Sequence, residues 1–423
     1  MNRKHITVMT RLRTLNIGNE ALSNELLKVI QANFPDSALV PLERAPRFLA
    51  QYRFSDLPKN LERALGKFES WAENLAQRGI SQPYTEPSHG NAKNISLVLA
   101  KAVSPLEISI KEKLQLRRFA SKAGIYDREF NSRLALHSRA KLAILNPAGE
   151  LNPKSIDPPL RMLLELRAAQ LMGAKAGVVN FSVELPDSFT NDLFGSIFAL
   201  FDFISVRDHQ SREVLLRSGV PAEKLKTTGD LAFLAEPDFD EGKAIAKRLG
   251  ISAKTIALVA NGKFGSSRIQ EWAELAHRLH DQGHDLVVLS NELSSDIPFA
   301  EKLARFAPVR VIPEQFSYRQ YAGLLAQLRL VISSRLHTSV LALVAGTPAV
   351  PIELIARRIK GVMEEINYPL GVPLCTESNW VEEAMKNVST ILDNELAFRE
   401  RITAIVDTSR HGIRDSWNNL VRF

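Results

Sequence analysis

Cysteine is almost absent: Cys375 is the one thiol in 423 residues. An internal disulfide framework is therefore excluded, and a reducing compartment is expected. No CxxC pair or Cys/His cluster offers a zinc site. The opening stretch "MNRKHITVMTRL" carries basic residues but no following apolar run of signal-peptide length. No uninterrupted apolar run reaches the roughly 18 residues that a spanning helix requires. GxGxxG, GxxxxGK[ST] and GxSxG are all missing. Neither an aromatic-interleaved RNA-binding pattern nor a zinc finger is present, which argues against a nucleic-acid partner. These absences predict a cytoplasmic chain with no cofactor and point to no metal ligands, while leaving any metal requirement open.

What is present is ordinary in bulk and uneven in detail. Hydrophobic residues make up 45% and charged residues 24% of the chain, as in soluble globular proteins. The net charge is +7. Residues 101–141 hold ten Lys/Arg against four Asp/Glu, either a solvated helix face or a surface for an anionic partner such as a membrane.

Short apolar runs ("HITVMT", "NISLVLA", "KLAILN", "KAGVVNF", "FDFISVR", "TIALVA", "DLVVLS", "VRVIP", "LRLVIS", "TPAVPI") read as buried strands. Stretches with helical periodicity, such as "SRIQEWAELAHRLHDQGH", separate several of them. That alternation predicts α/β architecture with parallel sheets covered on both faces. It falls into two blocks, residues 1–205 and 206–392, followed by a helical segment over 393–423. Two doubly wound, Rossmann-like domains facing a cleft, closed by a terminal helix, is a GT-B-like plan. Residues 41–90, rich in aromatics, interrupt the first block and read as an insertion.

Open α/β sheets bind ligands beyond the carboxyl ends of their strands. Five places put polar side chains there. In "RTLNIGNEAL", Asn16, Gly18, Asn19 and Glu20 lie where a strand turns into a helix starting near Asn19, a natural anion site. In "ISVRDHQSREVLLRSGV", Arg207 ends a strand and Asp208 is a natural helix cap. In "ALVANGKFGSSRI", Lys263 and Arg268 share a loop with Gly262 and Gly265, whose missing side chains let backbone approach a ligand. In "VISSRLHTSVLALVAG", Ser334, Arg335 and His337 stand between a strand and a helix; an extended stretch would turn Arg335 and His337 to one side. A guanidinium grips a carboxylate or phosphate with paired hydrogen bonds, and an imidazole moves protons near neutral pH. In "PIELIARRIKG", Lys360 is among several basic residues after the last strand. Each place also has a structural reading as a cap, a surface pair or a plain turn.

Together these segments resemble the polysaccharide pyruvyl transferase family. "NIGNEAL" is similar to its N-x-G-D/N-E-A signature, and "ISVRDHQSREVLLRSGV" to its SVRD segment. "GDLAFL" sits where the family has a PDPAF-like run. "VISSRLHTSVLALVAGTPAV" is similar to ISxRLHxxxxAxxxGxP, and "KGVMEEI" to the tail. The resemblance implies a GT-B-like enzyme that moves a pyruvyl (carboxyethylidene) group from phosphoenolpyruvate (PEP) to two hydroxyls of a sugar, forming a ketal and releasing phosphate. The acceptor would be a polysaccharide or its lipid-linked precursor, placing the chain in the cytoplasm or at the inner face of the membrane. The resemblance assigns Arg207 and Arg335 to PEP and proton transfer to His337, with Lys263 and Lys360 as further phosphate partners. "ILNPAGELNP" and "NFSVELP" depart from the family's turns in the first domain, leaving the acceptor unassigned. The competing reading is a GT-B glycosyltransferase that uses a nucleotide sugar.

Overall fold

The computed structural model describes residues 5–12, 14–44, 136–151, 162–163, 165–167, 169–170, 173–184, 194–354 and 358–420. The predicted strand "NISLVLA", nearly all of the 41–90 insertion and most of the basic 101–141 stretch lie outside them.

The described chain forms two units. The first comprises residues 1–12, 31–206 and 210–227; the second comprises 13–30, 207–209 and 228–423. Residues 13–30 thus belong with the later part of the chain, and the C-terminal segment packs within the second unit rather than standing apart.

The first unit holds a six-stranded parallel sheet in the order β2-β1-β3-β4-β5-β6. Its strands are β1 (His5–Thr10), β2 (Ala38–Glu43), β3 (Ala140–Leu145), β4 (Lys175–Phe181), β5 (Phe203–Val206) and β6 (Leu225–Thr227). Neither β2 nor β6 was expected from the sequence, and both are edge strands among the described residues. An edge needs no continuous apolar run, because one side of its ladder has no neighbour. It also tolerates Pro41, whose missing N–H would break a central ladder. The insertion therefore cannot begin at Pro41. Central strands β3 and β4 bury nearly every residue. Phe181 and Phe198 stack at 5.4 Å within the core on this sheet.

The second unit holds a five-stranded parallel sheet in the order β11-β10-β7-β8-β9. Its strands are β7 (Thr255–Val259), β8 (Asp285–Val288), β9 (Arg310–Val311), β10 (Leu330–Ser333) and β11 (Ala349–Pro351). Its helices begin with α1 (Ile17–Asn33), most of which belongs here, while most of α2 (His209–Arg217) belongs to the first unit. Then come α3 (Phe239–Leu249), a single turn α4 (Gly262–Gly265), α5 (Ile269–Asp281), α6 (Leu293–Leu303), α7 (Tyr318–Leu325), α8 (Leu336–Val344), α9 (Arg358–Glu365), α10 (Trp380–Leu392) and α11 (Glu395–Leu420).

Local signals set these helices. Helix α5 buries Ile269, Trp272, Ala273, Ala276 and Leu279, an i, i+3, i+4, i+7 stripe. Trp272 meets Trp380 of α10 at 5.3 Å and Phe299 of α6 at 6.1 Å. Each fully buried large apolar side chain contributes about 1.5–3 kcal/mol. Ser317 and Gln320 close a capping box on α7, and Gly250 ends α3 with a left-handed φ of 61°. Among the described residues no helix is long and apolar enough to cross a membrane.

Candidate active site

In the second sheet the chain runs β7, β8, β9 in one direction, then returns to place β10 on the other side of β7. The carboxyl ends of β7 and β10 therefore flank the point where strand order reverses, the expected ligand position in an open α/β sheet. Ser334, just past β10, accepts the Asn261 N–H through its hydroxyl at 2.9 Å and joins the two strand ends.

Helix α8 starts two residues earlier than the sequence suggested, at Leu336. Arg335 is its N-cap residue, still extended at φ −109° and ψ 113°, and caps with no side-chain bond. The first-turn amides are thus left to other partners, and the positive end of the dipole opens here. The stretch does not stay extended, so Arg335 and His337 do not share one side. Each turns to a different buried carboxylate.

His337 turns to Asp230, which lies between β6 and the short turn Leu231–Leu234. The Asp230 side chain has no exposure and Arg207 has 1%. Arg207 Nη1 donates to Asp230 Oδ2 at 2.9 Å. His337 Nε2 lies 3.5 Å from the same oxygen and 3.3 Å from Arg207 Nη1. Burial works to raise the pKa of Asp230. The Arg207 charge, the His337 hydrogen bond and the Ala232 amide outweigh it and hold the carboxyl well below its usual range. Above the ring is Gly18. A Cβ there would fall 2.3–2.6 Å from the Nδ1, Cγ and Cβ atoms of His337, so only glycine fits.

Arg335 turns to Asp296 near the start of α6. Its Nη2 donates to Asp296 Oδ1 and, at 2.6 Å, to Ser295 Oγ. Nη1 is 3.6 Å from Glu292, and Nε is buried without a partner. Asp296 also accepts the amides of Gly262, Asn291 and Glu292 at 3.0–3.1 Å. Asn291 in turn accepts the Ile17 N–H at 3.0 Å through its carbonyl oxygen. One carboxylate thus fixes Arg335, the β7 loop and the residues that meet the N-terminus of α1.

The remaining predicted residues divide. Helix α1 begins at Ile17 rather than near Asn19. Asn16 Oδ1 caps it by accepting the Asn19 N–H at 3.1 Å, and Asn16 Nδ2 donates to Glu292 at 3.3 Å. Glu20 accepts the Tyr318 N–H at 3.1 Å. Burial raises its pKa against the pull of that amide. Lys263 stands in the single turn α4. Gly262 beside it was expected to let backbone approach a ligand, but the close approach is internal: a Cβ there would lie 1.7 Å from the Ser295 carbonyl oxygen. Arg268 pairs with Glu271 at 2.9 Å and reaches the Thr376 carbonyl at 3.5 Å. Lys360, half-exposed, is 3.7 Å from Glu364. Neither makes a hydrogen bond to Arg207, Arg335 or His337. Glu353, just past the last strand, accepts the Ile359 and Lys360 amides at the start of α9.

Sequence reasoning missed Asp230 and Asp296. The first lies in "GDLAFL" and was legible only as part of a motif. The second sits in the first turn of a helix, where an acid reads as ordinary dipole compensation. Among the described residues no group of His, Cys, Asp and Glu is placed to hold a metal ion.

Two Rossmann-like units, each built on a parallel sheet, define a GT-B-type fold. Solved structures share that fold. UDP-GlcNAc 2-epimerase from Neisseria meningitidis bound to UDP-GlcNAc is 14% identical, with a TM-score of 0.51 over 99% of this chain and 98% of its own. MnaA of S. aureus with UDP is 13% identical, with a TM-score of 0.52 over 98% and 92%. The trehalose 6-phosphate synthase of Burkholderia multivorans is 11% identical, with a TM-score of 0.52 over 98% and 96%. The family model of polysaccharide pyruvyl transferase matches residues 16–354. The chain belongs to that family. A curated relative, the amylovoran biosynthesis protein AmsJ of Erwinia amylovora, is 21% identical over 243 residues, which is 52% of this chain and 58% of AmsJ.

Proposed function

We propose that this chain transfers the carboxyethylidene group of PEP to two hydroxyls of a sugar in a polysaccharide or its lipid-linked precursor, working in the cytoplasm or peripherally at the inner membrane face. The observation that carries the reading is the cluster of Arg207, Asp230 and His337 beside the N-terminus of α8, with Arg335 as its cap residue. PEP carries a carboxylate and a phosphate. Guanidinium N–H groups and helix first-turn amides suit both.

The atoms balance simply. One sugar hydroxyl adds to C2 of PEP while the methylene carbon takes a proton and becomes a methyl group. The second hydroxyl then replaces the phosphate at C2, and phosphate leaves with the remaining proton. His337 is the group that delivers a proton to the methylene or to the departing phosphate, a contribution of roughly 10²–10⁴-fold. The arginines stabilise the charge gathering on phosphate.

Calorimetric titration of PEP against the wild type and Arg335→Ala, with UDP-sugars as controls, tests the donor. Saturable PEP binding that disappears in the variant is expected. Binding of a UDP-sugar without PEP would replace this reading with that of a nucleotide-sugar glycosyltransferase. Phosphate release in the presence of acceptor should fall at least about 100-fold in His337→Ala.

A further inference from the structure

The first sheet has its own reversal of strand order. From β1 the chain goes to β2 on one side and then to β3 on the other, so the carboxyl ends of β1 and β3 flank a second switch point. Three neighbouring strands end there, and each is followed at once by a polar residue: β1 by Arg11, β2 by Arg44 and β3 by Asn146. Arg11 and Arg44 converge on a single oxygen. Glu150 Oε1 accepts from Arg11 Nη2 at 3.0 Å and from Arg44 Nη2 at 2.8 Å.

Arg44 is under-served. Its side chain is 2% exposed, yet of its five N–H donors only two have partners, Glu150 and the Asn146 carbonyl oxygen at 2.8 Å. Its Nε is buried with none. Burial lowers the pKa of Arg44 to about 10, even against the attraction of Glu150 and the nearby Glu43. Neighbouring Arg11 lowers it further. Arg11 and Glu150, by contrast, are about one-third exposed, at 33% and 28%, so a ligand can reach the shared oxygen's place. The backbone is strained at the same edge: Ala148 and Asn180 adopt left-handed φ values of 52° and 56°, and the Ser182 amide donates to the Ala148 carbonyl oxygen. Such conformations in residues other than glycine gather at ligand sites.

We infer that this switch point is a second ligand site, at which Arg11 and Arg44 receive a carboxylate or phosphate group in place of the Glu150 carboxylate. The site takes an anionic small molecule. Calling that molecule the sugar acceptor rests on the proposed function; the site itself does not. Glu150 is the internal stand-in, holding two guanidiniums together until an external anion with more acceptor atoms displaces it. Glu43 stays in place because its carboxylate is engaged by the Leu12 amide at 2.9 Å.

The test uses the full chain, with glucuronate as the carboxylate probe, glycerol 3-phosphate as the phosphate probe and glucose as the neutral control. Binding is followed by calorimetry in the wild type, Arg11→Gln and Glu150→Gln. Arg11 is partly exposed, so its variant should fold; thermal unfolding checks this. One charged probe should bind saturably, weaken roughly tenfold or more in Arg11→Gln, and tighten by a similar factor in Glu150→Gln. The stronger probe identifies the carboxylate or the phosphate. A purely structural role for Glu150 predicts no tightening. The inference is overturned if neither anion binds Glu150→Gln, if Arg11→Gln binds as well as the wild type, or if glucose binds equally. PEP titration in the same samples reports on the second unit, so failure of the donor reading shows separately.

Discussion

Replacing Asp230 by asparagine should take from Arg207 the buried carboxylate it meets. Both side chains are essentially without solvent contact and their N–O separation is 2.9 Å. Breaking a buried pair by removing one partner costs about 3–5 kcal/mol. The asparagine still offers one oxygen to the Ala232 amide, which Asp230 Oδ1 accepts at 2.9 Å. The loss should therefore come from Arg207 and not from the turn it precedes. Arg207→Met alone should cost a similar amount by stranding the carboxylate. The double variant should cost clearly less than the sum, with a coupling of about 2–3 kcal/mol. Urea unfolding followed by tryptophan fluorescence suits the question, because Trp272, Trp380 and Trp417 are all buried in the second unit. The reasoning fails if Asp230→Asn loses less than about 1 kcal/mol, or if the two single losses simply add.

Three more outcomes follow from the same geometry. Gly18→Ala should overpack the His337 ring and destabilise by about 1–3 kcal/mol; truncating the ring as well, in Gly18→Ala/His337→Ala, should recover most of the melting temperature, and no recovery would mean that the clash lies elsewhere. Because the folded-state pKa of Asp230 is depressed, its stabilisation is fully present above the unfolded value of about 3.9 and is lost as pH falls below it, by up to about 1.4 kcal/mol per pH unit. Urea midpoints between about pH 5 and pH 2.5 should show that slope in the wild type and a shallower one in Asp230→Asn. Asp296→Asn should leave either Arg335 and the Gly262 amide or the Asn291 and Glu292 amides poorly paired, at about 1–3 kcal/mol, with a parallel rise in the PEP dissociation constant; unchanged PEP affinity in a destabilised variant would separate scaffolding from binding.

The legible parts of this fold were those where one physical demand dominates. Central strands such as "KAGVVNF" and "TIALVA" are covered on both faces, so burial writes them as continuous apolar runs. Edge strands obey no such demand, and β2, with Pro41 and a charged end, was invisible for that reason. At the site, residues that terminate a strand or open a helix stood out: Arg207, Arg335, His337 and Asn16. Their counter-charges did not. Asp230 and Asp296 meet their arginines only through tertiary folding, and no spacing rule connects position 207 with 230 or 296 with 335. Gly262 shows the opposite error. Its need for a missing side chain was read correctly, but the neighbour it accommodates is the protein's own Ser295 carbonyl and not a ligand. Gly18 likewise reads as a turn residue until the imidazole over it is seen.

Residues 13–30 precede the first unit's main segment in the chain, yet they cluster with the second unit. That matters to anyone who would exchange parts between relatives. A hybrid joined at residue 206 would couple a foreign α1 to the native α8, and the glycine that must leave room for the imidazole would come from a different parent than the imidazole itself. An exchange limited to residues 31–206 keeps the two together. Exchanges between relatives should therefore replace that inner segment, with the opening helix inherited alongside the C-terminal unit.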